Sequence, residues 1–261
     1  MTKSFFPHLL LAFTCLGAFV GCEPNPPSAS APPAMTGRQS TYVIVHGAWG
    51  GGWDWQHVAG LLTADGNTVY RPTLTGLGEH SNLAGTNIDL DTHIQDIVNV
   101  ILWENLHNIV LVGHSYGGMV ITGVADRVPD RIQRVVYLDA LLPENGECVD
   151  AVKPNRIKTS VVNGFVIGDW MQGNLPPPHD VPQSARTFRE PITLTNQAVA
   201  QKLPATYILT VDRGAPPEQD DIYRFYERAK SRGLTTEIME GDHNVQRSHP
   251  QELVKLLELA R

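Results

Sequence analysis

One pentapeptide constrains this chain more than any other feature: Gly113-His114-Ser115-Tyr116-Gly117, set between an apolar run and an amphipathic one. Asn108 to Val112 reads as a buried strand and Gly117 to Val128 as a helix. Gly-x-Ser-x-Gly in that setting describes a sharp strand-to-helix turn. A side chain at either glycine would obstruct the turn, and the turn pushes the serine hydroxyl into the open. The helix that follows points its positive end at the same spot, which favours negative charge developing there. Ser115 is therefore the candidate nucleophile.

The rest of the chain from Thr41 onward repeats this alternation. Tyr42 to Val45, Thr68 to Tyr70, Arg134 to Leu138, Ala205 to Val211 and Thr235 to Met239 read as further strands. Between them lie helical patterns at Trp53 to Leu62, Asp220 to Arg232 and Pro250 to Leu259. Another, capped by Asp91 or Thr92, carries Ile94, Ile97, Val98, Ile101 and Leu102 on its apolar face. Such alternation implies an α/β class fold: a mostly parallel sheet of about six core strands flanked by helices. Residues 143–200 break the rhythm with Pro176-Pro177-Pro178 and scattered glycines, and read as a lid inserted on the sheet. With 42% hydrophobic residues, the chain can build a sizeable core over residues 41–261.

The N-terminus reads differently. Lys3 precedes a stretch, Phe5 to Val20, that is mostly apolar and too short for a membrane span, which suits a signal peptide over residues 1–21. Its ending, Phe19-Val20-Gly21-Cys22, resembles the lipobox of bacterial lipoproteins, in which the cysteine is lipidated and becomes the mature N-terminus. Cys22 is then the expected lipidation site. The expected location is the bacterial cell envelope, lipid-anchored and facing periplasm or exterior; plain secretion is the alternative. Residues 22–40, rich in Pro, Ser and Ala, form a tether. With three cysteines, Cys148 is left unpaired and no disulfide framework or CxxC metal site is available. A formal charge of -7 without a dense basic cluster argues against nucleic-acid binding.

A serine hydroxyl needs a base, and the base needs an orienting carboxylate. His243, in Gly241-Asp242-His243-Asn244, lies directly after the last strand and is the expected base. His249, just before Pro250, is its rival at the start of the final helix. Asp212 follows the strand Ala205 to Val211 and is the expected acid; Asp139, also just past a strand, is the alternative. Asp242 adjoins the histidine and reads as a turn residue. The expected oxyanion hole uses the backbone N–H groups of Tyr116 and of the loop His46-Gly47-Ala48-Trp49-Gly50-Gly51-Gly52-Trp53. The three glycines there would permit close approach to a substrate. His46 and His114 read as loop-shaping hydrogen bonders, and packing is expected for at least one of Trp49, Trp53 and Trp55.

His46-Gly47-Ala48-Trp49, Trp53-x-Trp55, Gly-His-Ser-Tyr-Gly-Gly and Gly-Asp-His, in that order, resemble the plant methylesterase and hydroxynitrile lyase branch of the α/β-hydrolases. The chain is also similar to bacterial esterases related to that branch. The resemblance spans residues 41–260 and implies an α/β-hydrolase fold with a Ser115–Asp212–His243 triad. It also implies an oxyanion hole from Ala48 and Tyr116. The lyases of the branch carry Thr after the first-loop His and Lys after the catalytic His; Gly47 and Asn244 stand there here, which points to ester hydrolysis. The expectation is a serine esterase acting on small or medium carboxylic esters, with no metal and no cofactor. A non-catalytic binding protein on the same scaffold, or lactone opening, carbon–carbon hydrolysis or perhydrolysis by the same triad, are the alternatives. Trp170, Met171 and Leu175 of the lid are expected either to contact substrate or to pack the lid.

Overall fold

A computed structural model describes residues 39–153, 158–171, 173 and 175–260. The expected signal segment, Cys22 and nearly all of the tether lie outside the described residues.

The elements run in the order β1 (Thr41–Val45), α1 (Gln56–Ala64), β2 (Thr68–Tyr70), α2 (Leu90–Trp103), β3 (Ile109–His114), α3 (Gly117–Arg127) and β4 (Ile132–Leu138). An insertion follows with α4 (Val149–Val152), β5 (Thr159–Val162), β6 (Phe165–Gly168), β7 (Gln183–Ser184), α5 (Arg186–Arg189) and α6 (Gln197–Ala200). The chain then returns through β8 (Ala205–Val211), α7 (Tyr223–Ser231), β9 (Thr235–Glu240), α8 (Val245–Ser248) and α9 (Pro250–Leu259). Six strands form one sheet in the order β2-β1-β3-β4-β8-β9, and every pairing in it is parallel. This is the mostly parallel sheet of about six strands expected from the alternation.

The sheet is covered on both sides, which is why its inner strands are apolar at nearly every position. Successive side chains of a strand point to opposite faces. Val43, Val45 and Leu111 thus join one core with α2, α3 and α7, whereas Tyr42, Ile44, Val110 and Val112 join another with Trp55, α1 and α9. Helix α2 starts earlier than its pattern suggested. Asp89 is the cap, not Asp91 or Thr92: its carboxylate accepts the Thr92 N–H at 3.0 Å, and the Thr92 hydroxyl answers the Asp89 N–H. That phase buries Leu90 and His93 and leaves Leu102 exposed. Pro250 stands in the first turn of α9, where its missing N–H costs no hydrogen bond.

The segment read as irregular from its composition holds a three-stranded antiparallel sheet, β5-β6-β7. Strands this short pair too few residues for a periodicity of two to show in sequence. The insertion is fastened to the first-strand loop through Trp49, whose N–H donates to Gln183 Oε1 at 2.9 Å and whose indole N–H donates to the Val166 carbonyl at 3.1 Å.

Candidate active site

Ser115 sits where β3 turns into α3, with φ +54, in the left-handed region that L-residues avoid. Its N–H donates to the Leu138 carbonyl at 3.3 Å, and its own carbonyl accepts from Gly118 at 3.1 Å and Leu141 at 3.0 Å. These three bonds hold the strained conformation. Gly117 is required by close approach: a Cβ there would stand 2.6 Å from the Val45 carbonyl oxygen.

The structure brings His243 to Ser115, with Nε2 2.9 Å from Oγ. The carboxylate on the other ring nitrogen is Asp139, whose Oδ2 lies 2.5 Å from Nδ1. Asp139 is fully buried. Burial opposes its charge, but the His243 hydrogen bond and charge and the Thr210 N–H at 3.0 Å outweigh that and hold the carboxyl below its usual range. An ionised carboxylate only accepts, so Nδ1 is the protonated nitrogen and Nε2 is free to accept the serine proton.

The preference for Asp212 over Asp139 is thereby corrected. Strand β4 is the direct neighbour of β3, and Leu138 pairs with His114, which sets Asp139 beside Ser115. Strand β8 lies one strand further out. Leu138 pairs there with Ile208, so Asp212 continues well past the level of Asp139 and is exposed. His249 stays out of the site, its Nδ1 2.9 Å from the Ser248 hydroxyl. Asp242 closes a turn by accepting the Asn244 N–H at 2.7 Å.

His114, the residue before the serine, holds His243 in place. Its Nε2–H donates to the His243 carbonyl at 2.7 Å, and the two rings lie 4.7 Å apart. Burial, with a contribution from neighbouring His243, lowers its pKa to about 4, so no second cation opposes an imidazolium forming on His243. His46 shapes the first loop as expected: Nδ1–H donates to the Gly47 carbonyl at 2.7 Å and Nε2 accepts the Leu74 N–H at 3.1 Å. Burial lowers its pKa to about 4 as well.

Among the described residues, no protein acceptor takes the Ala48 or Tyr116 N–H. The loop carrying Ala48 is held by Trp49, which adopts φ +64 and whose carbonyl accepts from Val181 at 2.9 Å. Tyr116 is tied down by its phenol, which donates to His93 Nδ1 at 2.9 Å, while His93 Nε2–H donates to the Thr75 carbonyl at 3.0 Å. His93 was missed in the sequence, although its helical phase with Leu90 and Ile97 pointed it inward. Of the glycine run, Gly50 lines the site, whereas Gly52 is required by packing, because a Cβ there would stand 2.1 Å from the Arg71 carbonyl oxygen.

Ser115 and His243 open onto a cavity of about 360 Å³, whose walls include Gly47, Ala48, Trp49, Trp170, Asn244 and Arg247. Trp170 of the insertion meets Trp49 edge-on at 5.0 Å, so it both packs and faces the site. Met171 takes the Gly168 N–H on its sulfur, and Leu175 is exposed. Trp55 is pure packing at 0% exposure. A separate cavity of about 270 Å³, lined by Thr122, Asp126, Tyr137 and Leu203 among others, contains none of the catalytic candidates. Among the described residues no group of three or more His, Cys, Asp or Glu is placed to hold a metal.

A serine on a strand-to-helix turn, a histidine after the last strand and a buried aspartate on a parallel sheet define a class of enzyme-like scaffold that sequence comparison also finds. The chain belongs to the alpha/beta hydrolase family, whose sequence model matches residues 42–256. It is 46% identical over 129 residues to a carbendazim hydrolyzing esterase of Nocardioides sp. (strain SG-4G), covering 49% of this chain and 53% of that protein. It is 28% identical over 140 residues to methylesterase 2 of Arabidopsis thaliana, covering 53% of this chain and 51% of that one. The chain thus spans about half the length of these curated relatives. A solved extracellular alpha/beta-hydrolase from a Paenibacillus species, described as sharing structural and functional homology with tobacco salicylic acid binding protein 2, superposes with a TM-score of 0.66 at 25% identity. That match covers 85% of this chain and 98% of the other.

Proposed function

We propose that the chain hydrolyses small or medium carboxylic esters through an acyl-enzyme on Ser115, with His243 as acid–base and Asp139 as its orienting carboxylate. The observation that carries this reading is the unbroken line from Ser115 Oγ to His243 Nε2 at 2.9 Å and from His243 Nδ1 to Asp139 at 2.5 Å. Ser115 Oγ attacks the ester carbonyl while Nε2 takes its proton. The oxyanion that forms faces the N–H groups of Ala48 and Tyr116, whose donors cost no reorganisation at that moment. Collapse expels the alcohol, protonated from Nε2. Water then repeats the sequence on the acyl-enzyme and restores the serine.

Gly47 supports hydrolysis over the lyase chemistry of the resembling branch. A Cβ at this position would already stand 3.2 Å from Ser115 Cβ and 3.1 Å from His114 Nδ1, which leaves little room for a threonine. Esterase-named relatives support the same reaction class. The lipid anchor at Cys22 belongs to the proposal on the sequence alone; retention of label from a radiolabelled fatty acid by the Cys22→Ser variant would remove it.

The test is covalent labelling by a fluorophosphonate probe together with turnover of a nitrophenyl ester. Labelling is expected at Ser115, and Ser115→Ala is expected to lower kcat by about 10⁴-fold or more. Near-unchanged turnover in that variant overturns the reading.

A further inference from the structure

Among the described residues that line the cavity of Ser115, Arg247 carries the sole guanidinium or ammonium group, and the proposed mechanism leaves it unused. It stands on the one-turn helix α8, four residues beyond His243. Its Nε–H is bound by the Asp54 carboxylate, whose side chain is 5% exposed and whose other oxygen accepts from Gln246 Nε2 at 2.8 Å. The Trp53 ring supports the guanidinium plane at 4.9 Å. An ion pair on one edge and an aromatic ring on one face hold the group in a set orientation before any ligand arrives.

The remaining edge is open. Asp180 Oδ1 lies 3.9 Å from Nη2, beyond hydrogen-bond distance, and Asp180 Oδ2 already accepts the Trp170 indole N–H at 2.9 Å. Among the described residues, Nε–H is therefore the one hydrogen-bonded N–H of this side chain, which is 45% exposed. A guanidinium only donates, so what completes it is an acceptor. The surrounding charge narrows the choice further. Asp54 and Asp180 outnumber the single guanidinium, so a carboxylate entering here meets Asp180 without a spare cation to balance it. A neutral oxygen meets no such cost.

We propose that Arg247 is a specificity-determining residue that binds a second, uncharged carbonyl oxygen of the substrate, so that the preferred substrates are neutral esters bearing another ester, amide or ketone group. This rests on the ester-hydrolysis reading above. Ser115 and Arg247 line the same cavity of about 360 Å³, on the scale of a small-ligand site.

Three methyl esters with the same four-carbon acyl chain separate the possibilities: methyl butyrate, dimethyl succinate and monomethyl succinate at neutral pH. The diester is expected to exceed methyl butyrate in kcat/KM by about tenfold, chiefly through KM, the scale of one hydrogen bond to a charged donor. Its two equivalent esters account for only about twofold of this by statistics. The anionic half-ester is expected to fall below methyl butyrate. In the double variant Asp54→Asn/Arg247→Met, which leaves no buried charge without its partner, the diester advantage is expected to shrink to that statistical factor. If the double variant does not fold, Arg247→Lys, which keeps the charge but loses the planar fork, is expected to shrink the advantage in the same direction. Equal rates for the two neutral esters in the wild-type protein, or a half-ester that outruns both, overturn the inference while the hydrolase reading stands. Failure to turn over any of the three, with no fluorophosphonate labelling of Ser115, overturns both.

Discussion

Asp139 accepts the Nδ1–H of His243 at 2.5 Å across 104 residues of chain, and its second oxygen takes the Thr210 N–H at 3.0 Å. One carboxylate therefore ties the loop after the last strand to the ends of β4 and β8. That contact orients the imidazole and sets its tautomer, so the serine faces an unprotonated nitrogen.

Replacement of Asp139 by Asn should be costly because an amide can donate to Nδ1 and stabilise the wrong tautomer. Asp139→Asn is expected to lower kcat on a nitrophenyl ester by about 10³–10⁴-fold, as in other triads. Asp212→Asn is expected to stay within about twofold, since Asp212 is exposed beyond the site. Comparable losses in both variants would contradict the assignment.

The buried histidines make stability depend on pH. His46 and His93 each have a folded-state pKa of about 4 against an ordinary 6.5, with burial as the largest cause. The unfolded chain then binds more protons between those values, so stability is fully present above about 6.5 and declines as pH falls towards 4. Each histidine contributes on the order of 3 kcal/mol to the total change. Urea unfolding at pH 7, 5.5 and 4.5 should show the midpoint dropping steadily. A midpoint that holds constant across this window would show that neither ring is buried neutral.

Two glycine-to-alanine changes should act in opposite directions. Gly60 lies exposed in α1, and an added methyl group there would meet nothing within 4 Å, so Gly60→Ala should stabilise by about 1 kcal/mol and raise Tm by about 2–4 °C. A Cβ at Gly118 would stand 2.0 Å from the Leu141 carbonyl oxygen, a backbone atom that cannot swing aside. Gly118→Ala should cost roughly 1–3 kcal/mol or more, read by thermal unfolding with Gly60→Ala as the control.

Much of the frame was legible because its signals are local. Apolar runs at Tyr42–Val45 and Ile109–Val112 mark buried strands, and the spacing of Ile94, Ile97 and Ile101 marks a helix face, without reference to any distant residue. The insertion was harder, since β7 is two residues long and its buried Gln183 looks like a surface residue until it is seen to bind the Trp49 N–H. His93, Asp54 and Arg247 escaped notice for a related reason. Each is an ordinary polar residue whose partner lies in another element.

Ser115 and His243 were determined by the sequence itself, because the strand-to-helix turn around Gly-His-Ser-Tyr-Gly and the loop after the last strand are written in contiguous residues. The acid was not. Asp139 and Asp212 both follow strands at the same end of the sheet, and they differ in which strand lies next to β3. Strand order arises from long-range packing of helices on both faces and has no local signature. Only the tertiary structure, by setting β4 beside β3 and β8 beyond it, placed Asp139 against the histidine.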